Sequence, residues 1–302
     1  MKSFFEQMYF LPKWYHIPLM GVMLPLSFIY GTGMYLRRKF TLQKSYGIPI
    51  VSIGNLIVGG AGKTPFAIEV ASKFENVCII SRGYGRKSSG LVEVSYKGKI
   101  LADVKRSGDE PMLMALSLPN ASVIVSEERN MAIRFAKKRG ASLIILDDGF
   151  NRVNIEKFDI LLEPKNIANY FPFPSGPFRE FYFTKKYANL IAKEEKTFMR
   201  KVYIENSTQR MVLVTAISNP QRLDRFLPEG VIDKVYYDDH AYFDEKSLKE
   251  LLDKYEATSI LCTSKDSVKM KNFTIPISEM KLKLIIDNDI MVQIEDYIKQ
   301  GT

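Results

Sequence analysis

Six residues, Gly59-Gly-Ala-Gly-Lys-Thr64, offer the densest chemistry in the chain. Successive glycines let the backbone turn several N–H groups inward, an arrangement that cradles phosphate oxygens, and a helix starting there adds its positive end. In such a loop Lys63 neutralises the outer phosphates of a triphosphate and the Thr64 hydroxyl holds Mg²⁺. Ile57, Val58, Gly59, Gly60, Ala61, Gly62, Lys63 and Thr64 are therefore candidate ATP-binding residues. The strict pattern G-x-x-x-x-G-K-[ST] fails at its first glycine, where Ile57 stands. A loop of this type needs an acid on a neighbouring strand to complete the metal site. Leu143-Ile-Ile-Leu-Asp147-Asp148-Gly149 supplies it, with four apolar residues burying a strand and two carboxylates emerging at its C-terminal edge. Thr64, Asp147 and Asp148 are the candidate metal ligands.

Arginines and a phenol recur in turns. Ser81-Arg-Gly-Tyr-Gly-Arg86 follows an apolar run, Arg129 opens a helical pattern, and Arg179 follows Pro-Ser-Gly-Pro. Guanidinium forks match phosphate oxygens, although each of these also fits a solvated or structural charge. Transfer to a hydroxyl needs a group that takes its proton, and the chain has two histidines, His16 and His240. His16 lies in an aromatic segment. His240 follows Asp238-Asp239 at a strand end. Spacing leaves open whether His240 is catalytic and whether Asp109, in Ser-Gly-Asp-Glu-Pro111, does more than cap a helix.

Those residues need elements to hold them. Apolar runs at 49–53, 77–81, 122–125, 142–146 and 159–162 alternate with helical periods at 64–74, from about 111, and from a Ser126 cap through 138. Residues 91–101 alternate about Lys97-Gly98, as a hairpin does. This is an α/β pattern with a mostly parallel sheet. A second, smaller α/β series begins near 211, with a strand near 235, a helix over 244–255 and a strand at 259–262. The expected division is 1–40, an N-terminal membrane-associated helical segment; 41–200, a P-loop domain; and 201–302, a smaller substrate-side domain.

The amino-terminal segment has nineteen consecutive uncharged residues, 17–35, interrupted by two prolines and three glycines. Aromatic residues precede it and Arg37-Arg38-Lys39 follow, which suits a helix lying in a membrane interface on the cytosolic side; a true span and an ordinary core helix are the other readings. Lys plus Arg number 43 against 34 Asp plus Glu, a net charge of +9 that favours anionic partners. The basic clusters are short and lack a recognition module, so no nucleic acid partner is expected. Cys78 and Cys262 each sit in an apolar run, as free core thiols do.

Taken in order, SIGNLIVGGAGKTP, SRGYGRKS, GDEP, VSEERN, ILDDGF, PSGPFRE and DDHAYF resemble the tetraacyldisaccharide 4'-kinase family over most of the chain. That resemblance implies a P-loop NTPase-like fold and an enzyme that moves the ATP γ-phosphate to the 4'-hydroxyl of a tetraacylated glucosamine disaccharide 1-phosphate in lipid A biosynthesis. It implies ATP and Mg²⁺ as cofactors, and a lipid disaccharide and the inner leaflet of the bacterial inner membrane as partners, with no obligate protein partner. It also implies an Asp109–His240 dyad that activates the hydroxyl, a catalytic Lys63, and Arg179 joining Lys63 as an ATP-binding residue on the phosphates. Tyr84, Arg129, Asn151, Arg152, Glu180 and Asp239 would lie on the substrate side. One departure stands out. The family reads DDGFQH where this chain has Asn151-Arg152, so a titratable imidazole gives way to a permanent cation. A regulatory GTPase is the rival reading. Its Asn/Thr-Lys-x-Asp and Asp-x-x-Gly signatures fit neither Thr263-Ser-Lys-Asp266 nor Asp147-Asp-Gly149. A non-catalytic scaffold is opposed by Lys63, Thr64 and Asp147.

Overall fold

A computed structural model describes residues 2–59 and 62–300. Among the described residues thirteen strands form two sheets. In chain order the first holds β1 (Ile50–Gly54), β2 (Val77–Ser81), β3 (Val92–Tyr96), β4 (Lys99–Ile100), β5 (Ser122–Val125), β6 (Leu143–Asp147), β7 (Phe158–Glu163) and β8 (Leu190–Lys193). The second holds β9 (Phe198–Glu205), β10 (Met211–Thr215), β11 (Val231–Tyr236), β12 (Ser259–Thr263) and β13 (Ile277–Ile286). Their spatial orders are β4-β3-β5-β2-β6-β1-β7-β8 and β11-β10-β12-β13-β9. By packing the chain divides into two compact units, Met1–Ile79 with Ile133–Met199 and Ile286–Thr302, and Ile80–Ala132 with Arg200–Ile285.

In the first unit β6, β1, β7 and β8 run parallel, with Ile53 in register with Asp147 and Ile160. Every residue of β1 and β6 is buried, as strands covered on both faces must be. The glycine turn leads from β1 into α1 (Lys63–Ala71), whose preceding Gly62 adopts φ 83°, a conformation that favours glycine. Two further helices, Lys2–Phe10 and Ile17–Phe40, precede the sheet. The shorter one carries no capping residue or flanking strand of the kind that marked the equally short helix at Lys63–Ala71 in the sequence. In the longer one only Ser27 and Gly31 are buried, four residues apart on one face. Ser27 Oγ accepts from Ser175 N at 2.8 Å, and a Cβ on Gly31 would lie 2.7 Å from the Phe181 ring. Val22, Leu26, Phe28 and Ile29 are instead mostly exposed. Among the described residues this is one helix long and apolar enough to cross a membrane.

The second unit carries the hairpin at Lys97-Gly98, where both residues take positive φ and a Cβ on Gly98 would overlap the Pro119 carbonyl. Helix Asp109–Ser117 starts two residues before the expected Pro111, after Gly108 at φ 89°. Asp109 therefore belongs to the first helical turn. Ser126 does not cap its helix directly. Its hydroxyl accepts from Glu128 N at 3.1 Å, a tight side-chain turn, and the helix begins at Arg129. The five-stranded sheet is built on β10 and β12, with β10 wholly buried, while β11 alternates in exposure along its length. Helix Glu245–Tyr255 is capped by Asp244, which accepts from Ser247 N at 2.9 Å, and buries Leu248 and Leu252.

Candidate functional site

Among the described residues the candidate side chains gather in two clusters, one in each unit. In the first unit the pairing of β1 with β6 sets the carboxylates beside the glycine turn. Asp148 N donates to the Ile53 carbonyl at 2.9 Å. Asp148 itself has φ 57°, a left-handed conformation that turns its side chain off the strand end. Lys63 Nζ lies 3.5 Å from Asp148 Oδ1 and donates to Asn55 Oδ1 at 3.1 Å. Arg179 Nη1 donates to both Asp148 oxygens, at 2.8 and 2.9 Å. Burial would raise the Asp148 carboxyl, but the Lys63 and Arg179 cations outweigh it and hold it below the usual carboxylate range. Asp147 closes β6 and is buried.

Ile57 and Val58 extend the turn as a short bridge. Ile57 pairs antiparallel with Phe178, Val58 N donates to the Pro177 carbonyl at 2.9 Å, and Arg179 N donates to the Leu56 carbonyl at 2.7 Å. These bonds fix Arg179 against the loop from the far side. Gly59 (φ 94°) and Gly62 (φ 83°) take positive φ; Gly60 and Ala61 lie outside the described residues. Thr64 stands in the first turn of α1. Asn55, which steadies both Lys63 and the Gly59 carbonyl, was not singled out in the sequence.

The neighbouring substrate-side candidates have occupations of their own. Glu180 is buried and takes a two-pronged bond from Arg38, at 2.7 and 2.8 Å. Arg38 also donates to the Phe150 carbonyl at 3.0 Å and lies over the Phe150 ring. The Asn151 carbonyl accepts from Arg37 at 2.6 Å, and the Arg152 carbonyl from Lys157 at 3.1 Å. The long N-terminal helix is thus tied to the segment after the Asp147-Asp148 pair.

In the second unit His240 Nδ1 lies 3.0 Å from Asp109 Oδ2, and Asp239 Oδ1 lies 3.8 Å from its Nε2. His240 takes φ 64°, held by its N–H bond to the Ala216 carbonyl at 3.0 Å. The loop from Ser81 presses close. A Cβ on Gly85 would stand 3.3 Å from His240 Nδ1, and one on Gly108 3.0 Å from the Tyr84 carbonyl. Glycines at these two positions, both with positive φ, let the Arg-Gly-Tyr-Gly turn meet the helix that carries Asp109. Tyr84 is 70% exposed with its ring 5.4 Å from the imidazole. Arg129 is buried, and its Nη1 donates to the carbonyls of Ser81 (3.0 Å) and Ser126. A lysine absent from the sequence reading joins the pair: Lys269 Nζ lies 3.0 Å from Asp109 Oδ2 with its side chain fully buried. Burial would push Asp109 up, yet the bonds from His240 and Lys269 leave it below the usual range.

Cations that converge on one carboxylate and an imidazole held by another suit transfer of a phosphoryl group to a hydroxyl. The family model for tetraacyldisaccharide-1-P 4'-kinase matches residues 19–299. The chain belongs to that family. Tetraacyldisaccharide 4'-kinases resemble it along nearly their whole length. That of Helicobacter pylori (strain HPAG1) is 46% identical over 299 residues, covering 98% of this chain and 95% of the relative. That of Aliarcobacter butzleri is 44% identical, covering 94% and 93%. That of Campylobacter jejuni subsp. doylei is 37% identical, covering 98% and 96%. The crystal structure of LpxK from Aquifex aeolicus, described as an "apo" form in complex with ATP, superimposes with a TM-score of 0.79 at 26% identity, covering 93% of this chain and 99% of that one. The tetraacyldisaccharide 4'-kinase family thus accounts for the mixed α/β fold with its large parallel sheet and for membership among the kinases of lipid A biosynthesis.

Proposed function

We propose that the protein transfers the γ-phosphate of ATP to the 4'-hydroxyl of a tetraacylated glucosamine disaccharide 1-phosphate, at the cytoplasmic face of the bacterial inner membrane. The observation that carries the reading is the convergence of Lys63 and Arg179 on Asp148, directly beside the glycine turn. Two cations held by one carboxylate are in place for the phosphates of a nucleotide, which would take over their charge.

Oxygen donors from Thr64, Asp147 and Asp148 suit a hard cation, so these residues would hold Mg²⁺. The ion, when bound, supplies charge neutralisation for the phosphates. Lys63 and Arg179 orient the transferring group and stabilise the charge that grows on its oxygens. His240 serves as general base. Its Nδ1 is engaged by Asp109, which leaves Nε2 to take the proton of the 4'-hydroxyl as the new O–P bond forms and the bond to the ADP oxygen breaks. The Asp109 carboxylate then faces an imidazolium. Tyr84, exposed beside the ring, and Asp239, near Nε2, are proposed to meet the sugar. Arg129 and Glu180 act in this proposal by holding loops rather than by touching substrate, and Arg152, beside Asn151, is proposed to offer a lipid phosphate a permanent cation.

The long N-terminal helix supports a membrane location. It buries Ser27 and Gly31 and presents Val22, Leu26, Phe28 and Ile29 outward, the reverse of a helix in water. Arg37 and Lys39 flank its end, where anionic headgroups lie.

ADP release with the acceptor lipid in detergent micelles tests the reaction. The reading requires turnover that depends on both ATP and the lipid; equal turnover of GTP without lipid would instead favour a regulatory nucleotidase.

A further inference from the structure

We propose that Lys269 is a positioning residue for the Asp109–His240 pair, sharing one carboxylate oxygen with the imidazole so that the ring stays oriented and the carboxylate's pull on its proton is moderated. This rests on the assignment of His240 as general base.

Asp109 Oδ2 lies 3.0 Å from His240 Nδ1 and 3.0 Å from Lys269 Nζ. A carboxylate that faced the imidazole alone would favour the protonated ring, which is useless as a base at neutral pH. A second cation on the same oxygen draws off part of that attraction while keeping the carboxylate ionised. Lys269 also donates to the Ala241 carbonyl at 3.0 Å, so it grips the residue after His240 as well as the partner of its ring. Both ends of the dyad hang on one ammonium.

The ammonium is itself anchored. Asp266 Oδ1 stands 3.9 Å away. Asp266 is wholly buried and accepts from Thr215 Oγ1 (2.7 Å), Thr263 Oγ1 (2.7 Å) and Ala216 N (3.1 Å). Ala216 in turn receives the His240 N–H, which closes the circuit. The other charged or titratable groups around it are Asp239 on the His240 loop, Tyr84, Tyr242, Lys87 over the Tyr242 ring, and the Lys265–Glu110 pair at 3.4 Å. A buried lysine left with no catalytic duty would be a costly way to staple a fold, because well-packed apolar residues do so with less desolvation.

The test uses the full chain in detergent. Lys269→Gln removes the cation, and Lys269→Arg keeps it. With only two histidines in the chain, the ring nitrogens of His240 can be followed by NMR, set apart from His16 by the loss of one set of signals in His240→Gln. In Lys269→Gln both the His240 titration and the acid limb of the kcat profile should move up by about one pH unit, with the KM for ATP unchanged. Lys269→Arg should restore the wild-type profile. A folded Lys269→Gln protein whose ring titration matches wild type overturns the proposal, as does an equal loss of kcat in both variants without a shifted limb. If Lys269→Gln does not fold, ¹⁵N-lysine labelling of the wild type decides. An exchange-protected Nζ signal that moves in Asp109→Asn supports the proposal, and the lack of one refutes it. Because the ring titration needs no turnover, a wild type without kinase activity would refute the proposed reaction and leave this result standing.

Discussion

Arg38 and Glu180, 142 positions apart, form a two-pronged ion pair with both side chains nearly inaccessible to water. One residue ends the apolar N-terminal helix, and the other directly follows Arg179, which reaches the Asp148 carboxylate. The apolar helix and the segment that carries Arg179 are therefore clamped together one residue from Arg179. Removing one partner strands a buried charge. Arg38→Ala or Glu180→Ala should cost about 3–5 kcal/mol of unfolding free energy in urea titrations, and the double replacement Arg38→Met with Glu180→Leu markedly less. Equal losses in the single and double variants would contradict the pairing.

Lys63 is expected to matter for turnover far more than for folding. It touches Asn55 and Asp148 but sits at the start of a helix whose core contacts come from Phe66, Ala67 and Val70. Lys63→Ala should lower kcat about 10²–10³-fold, the cost of losing one preorganised charge contact in the transition state. Thermal unfolding should shift little.

His240→Ala should reduce kcat by roughly 10²–10⁴-fold with a smaller change in the KM for the lipid, as expected for a group that acts in the chemical step. An unchanged kcat would remove it from the mechanism.

Asp109 carries a pH signature that needs no substrate. Its carboxyl is held below the ordinary range in the folded chain, so its contribution to stability is present above the unfolded value of about 4 and is lost as the pH falls through the folded value. Urea midpoints measured from pH 7 down to pH 3 should fall less steeply in Asp109→Asn than in wild type.

The outward apolar face of the long helix should govern vesicle binding. Replacing Leu26, Phe28 and Ile29 together by serine removes three side chains that are each more than half exposed. At about 1–2 kcal/mol per buried side chain, partitioning into anionic vesicles should drop by at least 100-fold. Binding of soluble nucleotide should stay as it was.

Much of this arrangement was legible in the sequence because the signals were local. A glycine turn between a strand and a helix, and two aspartates after four apolar residues, declare a parallel α/β core and its carboxyl edge within a dozen residues each. What stayed hidden depends on distance along the chain. Lys269 reaches Asp109 across 160 positions, and nothing in Ser264-Lys-Asp-Ser-Val-Lys269 marks which lysine turns inward. Arg129 and Glu180 stood on the substrate side by family likeness alone, and nothing local in the sequence showed that each is buried and bonded to its own fold. The pairing of Asp109 with His240 came from family likeness, and no spacing rule would have produced it. The helix at Asp109 began earlier than expected because Gly108, at positive φ, can turn the chain into it before Pro111.

The most direct test follows the γ-phosphate itself. Protein, ATP, Mg²⁺ and the tetraacyldisaccharide 1-phosphate are incubated together, and the lipid is analysed by tandem mass spectrometry and ³¹P NMR. The account predicts one added phosphate on the 4'-oxygen of the distal sugar, with ADP formed in equal amount. A lipid that returns unmodified while ATP is hydrolysed to free phosphate, or a phosphate placed on another oxygen, would contradict it.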